Sequence, residues 1–242
     1  MSIAKRFAGK RLVLCCISLL VFFTFVCPTH SQTVTGKAQS RKVVKIIVKR
    51  LVANEKTVKS MTANLTLIRY DVTLDISDTA TGTFAYLPKL KTTRNRIYAR
   101  IDWVKPVSEQ IVVIGDDFEL YRPRLNQVIF GKIKNVSVNS PLKFLHMSRI
   151  MLDKNYSVNY LGRTKTTLGL KMSTLRVSPT SDKTFRWAEF WIDKSGVLRQ
   201  VKFFENNGDT ATLSLSNIKK NAMIQGEIFR LRYSKNVKRI KV

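Results

Sequence analysis

The chain has 242 residues, 44% of them hydrophobic, and a formal charge of +27 that arises from 43 Lys and Arg against 16 Asp and Glu. This length and apolar content are typical of one globular domain with a substantial core, and they exclude a chain that is disordered throughout. The basic excess favours an acidic partner, and the candidates are nucleic acid, anionic lipid and an acidic protein.

The first 31 residues have the pattern of a secretory signal peptide. An apolar run occupies residues 12–26, and Thr29 and Ser31 place small residues at the two positions that determine cleavage. The basic residues that precede this run are Lys5, Arg6, Lys10 and Arg11. We therefore predict export, with cleavage after Ser31 and a formal charge that falls from +27 to +23. The run is shorter than the ~20 residues of a membrane-spanning helix, although retention as an anchor stays open.

The residue types needed for most catalytic sites are scarce. The three cysteines, at positions 15, 16 and 27, all lie in the predicted signal peptide, so the exported chain has no thiol nucleophile or thiolate metal site. His30 lies there as well, which leaves His146 as the one histidine of the exported chain. Asp116 and Asp117 are adjacent, a pattern more typical of a solvated turn than of a carboxylate pair. With no nucleotide-binding loop either, we predict a protein that is not an enzyme and holds no metal or cofactor.

The ordered chain is predicted to begin with a helix. Residues 32–41 are polar and are interpreted as a flexible N-terminus, with Ser40 as the N-cap and residues 42–242 as a single domain. Apolar side chains then recur on one helical face, at Val43, Val44, Ile47, Val48, Leu51 and Val52. Such a helix either packs on a sheet as an ordinary surface helix or acts as a lid over a cavity.

Strand patterns fill most of the remaining chain. In the first half they cover residues 64–74, 82–87 and 96–103, and the last of these alternates clearly between apolar and polar side chains. The central stretch 111–132 is predicted to form a three-stranded meander with strands at 111–114, 118–121 and 127–130. Its turns carry Gly115, Pro123 and Asn126, which suit tight turns. Residues 141–152 interrupt the pattern and are predicted to form a second, short helix.

The second half returns to strands, with turns at 193–196 and 206–209. The predicted strands are 157–161, 168–179, 184–192, 198–205, 211–218 and 228–233. Because the chain has no internal repeat and no break in composition, about ten antiparallel strands and two helices are expected in one mainly β domain of the α+β class. Either a strongly curved sheet with helices against one face or a sandwich satisfies this pattern. Residues 187–192 and 203–204 are apolar on both strand faces, which indicates a covered outer face or a large internal surface.

The basic residues are spread over nearly every element, apart from a tail at 235–241. Export argues against nucleic acid as the partner, so transient contact with an anionic membrane surface is the better functional interpretation. A generally basic composition without a specific partner is the alternative.

Two stretches resemble the periplasmic outer-membrane lipoprotein carriers, the LolA-like family. The meander runs from an apolar strand through Gly115-Asp116 to an aromatic-bearing strand, and then to Tyr121-x-Pro123-x-Leu125-x-Gln127-Val128. Residues 191–229 are similar to the family's series of a strand, an Asp-x-x-Gly turn, a strand, an Asn-Gly turn and a strand that ends in Asn-Ile. Departures from the family pattern at Ala99, Glu119 and Leu87 leave open a related carrier of another lipid.

The resemblance implies an incomplete antiparallel β-barrel closed by an α-helical lid, in a periplasmic monomer that works as a chaperone in outer-membrane biogenesis. It implies that acyl chains of lipoproteins, or lipids, bind in an apolar cavity, are released to the carrier by an inner-membrane transporter and pass to an outer-membrane acceptor. Matching positions give the cavity wall as Ala99, Ile101, Leu142, Phe144, Leu145, Val201 and Phe203. The lid helix is given by Val44, Ile47, Val48 and Leu51. The alternatives are a carrier of another envelope lipid or glycolipid, a non-transport envelope adaptor, and a secreted hydrolase without a recognisable catalytic set.

Overall fold

The computed structural model describes residues 33–89, 91–133, 154–165, 170–181 and 185–242. In this part of the chain one α-helix, α1 (Thr33–Thr57), precedes a series of strands. The strands are β1 (Met61–Asp71), β2 (Ile76–Leu87), β3 (Tyr98–Lys105), β4 (Glu109–Ile114), β5 (Asp117–Arg122), β6 (Gln127–Lys132), β7 (Tyr156–Lys165), β8 (Lys171–Pro179), β9 (Trp187–Asp193), β10 (Leu198–Phe204), β11 (Thr210–Lys220) and β12 (Lys238–Lys241).

All of these strands belong to one open, curved sheet of 12 strands, with β12 and β7 at its two edges. Their order is β12-β6-β5-β4-β3-β2-β1-β11-β10-β9-β8-β7. Each neighbouring pair is antiparallel except β12 and β6, which run parallel. The mainly β architecture predicted from the sequence is confirmed in its curved-sheet form, because the sheet does not close into a barrel.

The two faces of the sheet differ in polarity because side chains alternate along each strand. On one face, the inner face, buried apolar residues pack into a single cluster with α1. This face includes Leu65 of β1, Ile101 of β3 and Phe190 of β9. The opposite, outer face carries the intervening residues, among them Asn64 and Arg100.

Bulges interrupt the ladder between β1 and β11, β2 and β3, β7 and β8, and β9 and β10. At the second of these, a Cβ on Gly82 would lie 2.3 Å from the backbone oxygen of Asp102, so the close approach of the two strands requires glycine. Bulges bend a strand and increase its twist, which contributes to the curvature of the sheet.

The helix is longer than the sequence indicates. It begins at Thr33, so Ser40 lies inside it and is not the N-cap. Residues 33–41, expected to be a flexible start, instead contribute the first turns of the helix. Lys37, Ala38 and Gln39 are good helix formers and favour the later part of this extension. No helix within the described ranges combines the length and hydropathy that a transmembrane span requires.

The C-terminal region differs most from expectation. The strand predicted at 228–233 is instead a 3₁₀ turn, Gly226–Phe229, followed by extended chain without ladder pairing. The basic tail ends in β12, which pairs with β6, and positive side chains are common on such edge strands because they oppose aggregation. The central meander forms as predicted in β4, β5 and β6, with Asn126 in the left-handed conformation at φ 42°. The helix predicted at 141–152 lies outside the described residues.

Candidate functional site

The inner face provides the largest continuous apolar surface of the described chain. It extends over the strands from β8 to β5 and combines aliphatic with aromatic side chains. The polar residues that are buried in the described part of the chain are Ser60, Thr93 and Thr174, and none of them is ionisable in the ordinary pH range. A surface of this kind suits apolar ligands.

The four described residues of the predicted cavity wall all lie on the inner face. Ala99 and Ile101 are 1% and 3% exposed on β3, and Val201 and Phe203 are 0% and 8% exposed on β10. Three strands separate β3 from β10, so the two pairs are about 19 Å apart along the sheet at ordinary strand spacing. They are therefore distant points on one surface. Leu142, Phe144 and Leu145 lie outside the described residues.

Sequence reasoning did not select the aromatic side chains that extend this surface around Phe203. Phe185 packs edge-on against Phe203 with ring centroids 5.6 Å apart, and Tyr156 stacks on Phe185 at 6.2 Å. Phe190 occupies the next strand and pairs with Val201. Phe190 could have been found from the alternation of β9, whereas the contacts of Phe185 with Phe203 and of Tyr156 with Phe185 arise only through the tertiary fold.

The predicted lid residues face this surface from α1. Ile47 and Leu51 are buried in the cluster, and Val44 and Val48 are partly buried against it. Between Arg41 and Lys56 the charged side chains of the helix are exposed, and Ile46 is the large hydrophobic residue exposed on the same segment. The helical periodicity therefore predicted the buried face of α1 correctly.

Specific contacts fix the C-terminal part of α1. Lys220 Nζ donates to Asn54 Oδ1 at 2.5 Å, and Asn221 Nδ2 donates to the carbonyl oxygen of Thr57 at 3.2 Å. A Cβ on Gly196, in the turn between β9 and β10, would lie 2.5 Å from the carbonyl oxygen of Arg50. The end of the helix thus rests on that turn and is tied to the end of β11.

The turn between β9 and β10 is organised by Asp193. Its carboxylate accepts hydrogen bonds from the backbone N–H groups of Ser195 and Val197 and from Arg199 Nε at 2.8 Å. Burial acts to raise the pKa of this carboxyl, but the hydrogen bonds from Ser195, Val197 and Arg199, with the charge of Arg199, together hold its pKa below the ordinary value. The turn that supports α1 is therefore built around an ionised side chain.

The adjacent carboxylates considered in the sequence do not form a pair of catalytic type. Asp117 forms an ion pair with Lys132 at 2.5 Å and is largely exposed, as is typical of a surface turn. Asp116 contributes its backbone oxygen to the N–H of Ile133. Across the described residues, no group of three or more His, Cys, Asp or Glu side chains is arranged to hold a metal ion.

Trp187 and Phe204 belong to the outer face, opposite the buried inner-face residues Phe190 of β9 and Phe203 of β10. Their rings stack with centroids 4.7 Å apart, and the guanidinium groups of Arg176 and Arg186 lie 5.0 and 4.7 Å from the Trp187 ring. Lys202 lies 5.0 Å from the ring of Phe204. The apolar character of both strand faces is thus explained by an outer face covered with basic side chains.

Exposed apolar side chains gather at the tips of three hairpins. Because β1 to β6 follow one another antiparallel in the sheet, the β1–β2, β3–β4 and β5–β6 turns all lie at the same end. The exposed apolar residues on or beside these turns are Val72, Leu74, Ile76, Val104, Val107 and Leu125. We call this set the hairpin end. Such a set of exposed apolar side chains is typical of an interaction surface.

Residues 97–232, more than half of the chain, match the family described as Outer membrane lipoprotein carrier protein LolA. The chain belongs to this family. The match includes β3 and β10, which carry the four described residues of the predicted wall, and leaves out α1.

Solved structures share the fold at low sequence identity. An uncharacterized conserved protein from Thermus thermophilus has a TM-score of 0.54 and 14% identity over 83% of this chain and 99% of that one. The MucA/MucB complex of Pseudomonas aeruginosa contains a chain with a TM-score of 0.50 and 11% identity, over 78% of this chain and 61% of that one. A LolA superfamily protein from Nitrosomonas europaea has a TM-score of 0.44 and 11% identity, over 78% of this chain and 97% of that one. No curated protein matches the sequence.

Proposed function

We propose that this protein is a periplasmic carrier that binds acyl chains of lipoproteins on its inner face and shuttles them from the inner to the outer membrane. The observation that carries the proposal is the apolar inner face, covered by the amphipathic helix α1, with no ionisable group among the buried residues of the described chain. Membership of the lipoprotein carrier family supports it. On this proposal residues 1–31 are the signal peptide and residues 42–242 form the carrier domain.

The cavity wall is proposed to include the residues of the sequence prediction. Ala99, Ile101, Val201 and Phe203 are buried on the inner face, where an acyl chain would replace contacts they make within the core. Leu142, Phe144 and Leu145 are proposed to complete the wall. The lid is formed by Val44, Ile47, Val48 and Leu51, whose side chains face the same cluster.

Binding must be weak enough to reverse. Each buried methylene contributes about 0.8 kcal/mol, so three long acyl chains fully transferred from water would contribute tens of kcal/mol. Non-covalent complexes reach a limit of about 18 to 21 kcal/mol, and complexes close to that limit do not release their ligand usefully. The cargo must first replace the contacts that Ile47 and Leu51 of α1 make with the apolar face. The free energy of losing these contacts offsets part of the free energy gained by burying acyl chains.

The described anchors of α1 suggest how the helix opens. The hydrogen bonds made by Asn54 and Thr57 lie in its last turn. We propose that the helix pivots about this end, so that Val44 and Val48, further from the anchors, separate from the sheet first. Opening of this kind uncovers the inner face and needs no nucleotide site in the carrier.

The hairpin end is proposed to make transient contact with membranes. Leu74 and Val104 are exposed at 63% and 61%, and the chain is strongly basic. Exposed apolar tips on a chain of positive net charge favour anionic bilayer surfaces. An inner-membrane transporter that releases cargo and an outer-membrane acceptor complete the proposed route, in which the carrier works as a monomer without a cofactor.

The proposal is tested with two substitutions on one helix. Val48→Glu places a charge on the covered face of α1, whereas Ile46→Glu places the same charge on its exposed face. Each variant is purified from the periplasm, and uptake of a fluorescent fatty-acid analogue is measured by titration, with thermal unfolding as a check on folding. We expect Val48→Glu to reduce uptake strongly and Ile46→Glu to leave it unchanged.

Equal uptake by folded Val48→Glu and the wild type contradicts the lid assignment. If the wild type takes up no fatty-acid analogue, the non-transport adaptor becomes the better function. If free phospholipid or glycolipid is found in the wild type and acylated protein is not, the cargo is another envelope lipid.

A further inference from the structure

A groove lies between the outer face of the sheet and the C-terminal segment, and its lining also includes Ala63 and Phe84 of the inner-face cluster. Its volume is about 1110 Å³. The floor is formed by outer-face positions of β1, β2 and β3, including Asn64 and Thr83, and the opposite wall is formed by residues 225–232. This volume lies slightly above the usual range of small-molecule sites, which is about 300 to 1,000 Å³.

The C-terminal wall is held in place by packing at several points. Phe229 is buried and packs against Tyr98 with ring centroids 5.6 Å apart. Tyr233 packs against Tyr121 at 5.5 Å, and β12 then pairs with β6. On the N-terminal side, the backbone N–H of Asn221 donates to the carbonyl oxygen of Ser60. The segment 225–232 is therefore attached to the sheet on both sides, and the groove is a structured part of the fold.

One ion pair inside the groove links its two sides. The positive charge of this pair is neutralised by its own carboxylate, so it is not available to a ligand. Arg100 Nε donates to the Asp102 carboxylate at 2.7 Å, and another guanidinium nitrogen donates to the carbonyl oxygen of Ile228 at 2.5 Å. The pair links the floor to the C-terminal wall, and the charges of Arg100 and Asp102 compensate each other. Arg100 therefore holds the two walls of the groove together, and the positive charge available to a ligand comes from other residues.

The remaining charge in the groove is positive. Lys219, Arg230 and Arg232 line it, are exposed, and form no ion pair with any residue the structure describes. Glu227 is the one acidic side chain of the lining besides Asp102. Three basic groups against one carboxylate leave a net charge of about +2 for an anion.

The uncharged polar residues of the lining indicate which class of ligand the groove binds. Side-chain amides and hydroxyls suited to hydrogen bonds with a polar ligand are contributed by Thr62, Asn64, Thr83, Gln110, Asn217 and Gln225. Arginine side chains bind phosphate oxygens well, since their planar guanidinium groups donate two parallel hydrogen bonds. We propose that the groove binds a phosphorylated polar group, as found in a phospholipid head group or a soluble phosphate ester. This site does not depend on the acyl-chain surface of the inner face.

The test uses glycerol 3-phosphate as the soluble probe and vesicles of phosphatidylglycerol as the lipid probe, with vesicles of phosphatidylcholine as the uncharged reference. Binding to the periplasmic protein is measured by calorimetry for the soluble probe and by co-sedimentation for vesicles. The variant Arg230→Gln with Arg232→Gln removes two groove charges. Its matched control, Arg163→Gln with Lys171→Gln, removes two exposed charges from β7 and β8 at the far edge of the sheet.

We expect the groove variant to weaken binding of at least one phosphate probe by about tenfold or more, and the control to change it less than about twofold. Glu227→Gln removes the opposing carboxylate and is expected to tighten binding, which a purely structural role would not explain. If the groove variant loses affinity for glycerol 3-phosphate, the ligand is a soluble phosphate ester. If it loses affinity only for phosphatidylglycerol vesicles, the ligand is a phospholipid head group. The proposal is overturned if neither probe binds, or if the groove and control variants lose affinity equally.

Discussion

The carbonyl oxygen of Arg50 in α1 lies 2.5 Å from the position that a Cβ would take on Gly196, which is too close for a side chain. Gly196 also has a φ of +83°, which side-chain-bearing residues rarely adopt. The helix and the β9–β10 turn therefore fit together only with glycine at this position. This contact sets where the helix lies over the inner face.

Replacing Gly196 with alanine tests that contact, and Gly115→Ala is its control. Gly115 has a similar φ of +66°, but a Cβ at this position would have no neighbouring atom closer than 3.9 Å, so alanine there meets only the backbone penalty. That penalty is about 1 to 2 kcal/mol. We expect Gly196→Ala to lower the thermal unfolding midpoint at least twice as far as Gly115→Ala. Equal shifts would show that the helix does not constrain the turn.

The carboxylate of Asp193 should make stability depend on pH in the acid range. Because its pKa is lower in the folded protein than in the unfolded chain, its contribution is full above the unfolded value of about 3.9 and is lost as the pH falls through the folded value. Asp193→Asn should therefore be less stable than the wild type at pH 7, and the difference should shrink on acidification below about pH 4. Chemical denaturation of both proteins at pH 7 and below about pH 4 measures this difference in the free energy of unfolding. A difference that stays constant with pH would contradict this role.

Trp187 offers a test on the outer face. Its buried indole N–H has no hydrogen-bond partner in the described structure, while its ring stacks on Phe204. Trp187→Phe keeps an aromatic ring and removes the unsatisfied donor, so its effect on stability should lie within about 1 kcal/mol of zero. Trp187→Ala also loses the stacking and the two arginine contacts, and should destabilise by about 2 kcal/mol. Urea unfolding separates the two outcomes, and equal losses would show that ring stacking contributes little.

The hairpin end should determine membrane binding. Leu74→Asp and Val104→Asp change exposed side chains, so folding should be unaffected. Each is expected to reduce binding to vesicles of phosphatidylglycerol and phosphatidylethanolamine by about tenfold, since a buried leucine or valine contributes about 1.5 to 3 kcal/mol. Leu161→Asp, at an exposed site on the edge strand β7, is the control. Unchanged binding in the first two variants would remove this surface from the proposal.

The sequence carried strong local signals for much of the fold. Alternation placed Ala99 and Ile101 on one face of a strand, and Gly196 and Gly208 marked turns in which both adopt a positive φ. The helical period likewise identified Ile47 and Leu51 as the buried face of α1. These features depend on near neighbours in sequence and could be predicted from it.

Features that depend on distant contacts were missed. β12 forms because residues 238–241 meet β6, and its parallel pairing has no local signature. Residues 228–233 have a strand-like composition, but Phe229 is buried against Tyr98 and the segment becomes the wall of a groove. That groove joins residues from Thr62 to Arg232, so only the tertiary fold reveals its charge.

The most direct test of the carrier function is native mass spectrometry of the wild-type protein purified under mild conditions from the periplasm. We expect a complex with one acylated protein or lipid, which dissociates to the free chain when the hydrophobic ligand is extracted. A protein that is empty when isolated, and that also takes up no fatty acid when it is added, would contradict the proposal that the inner face is a binding surface for acyl chains.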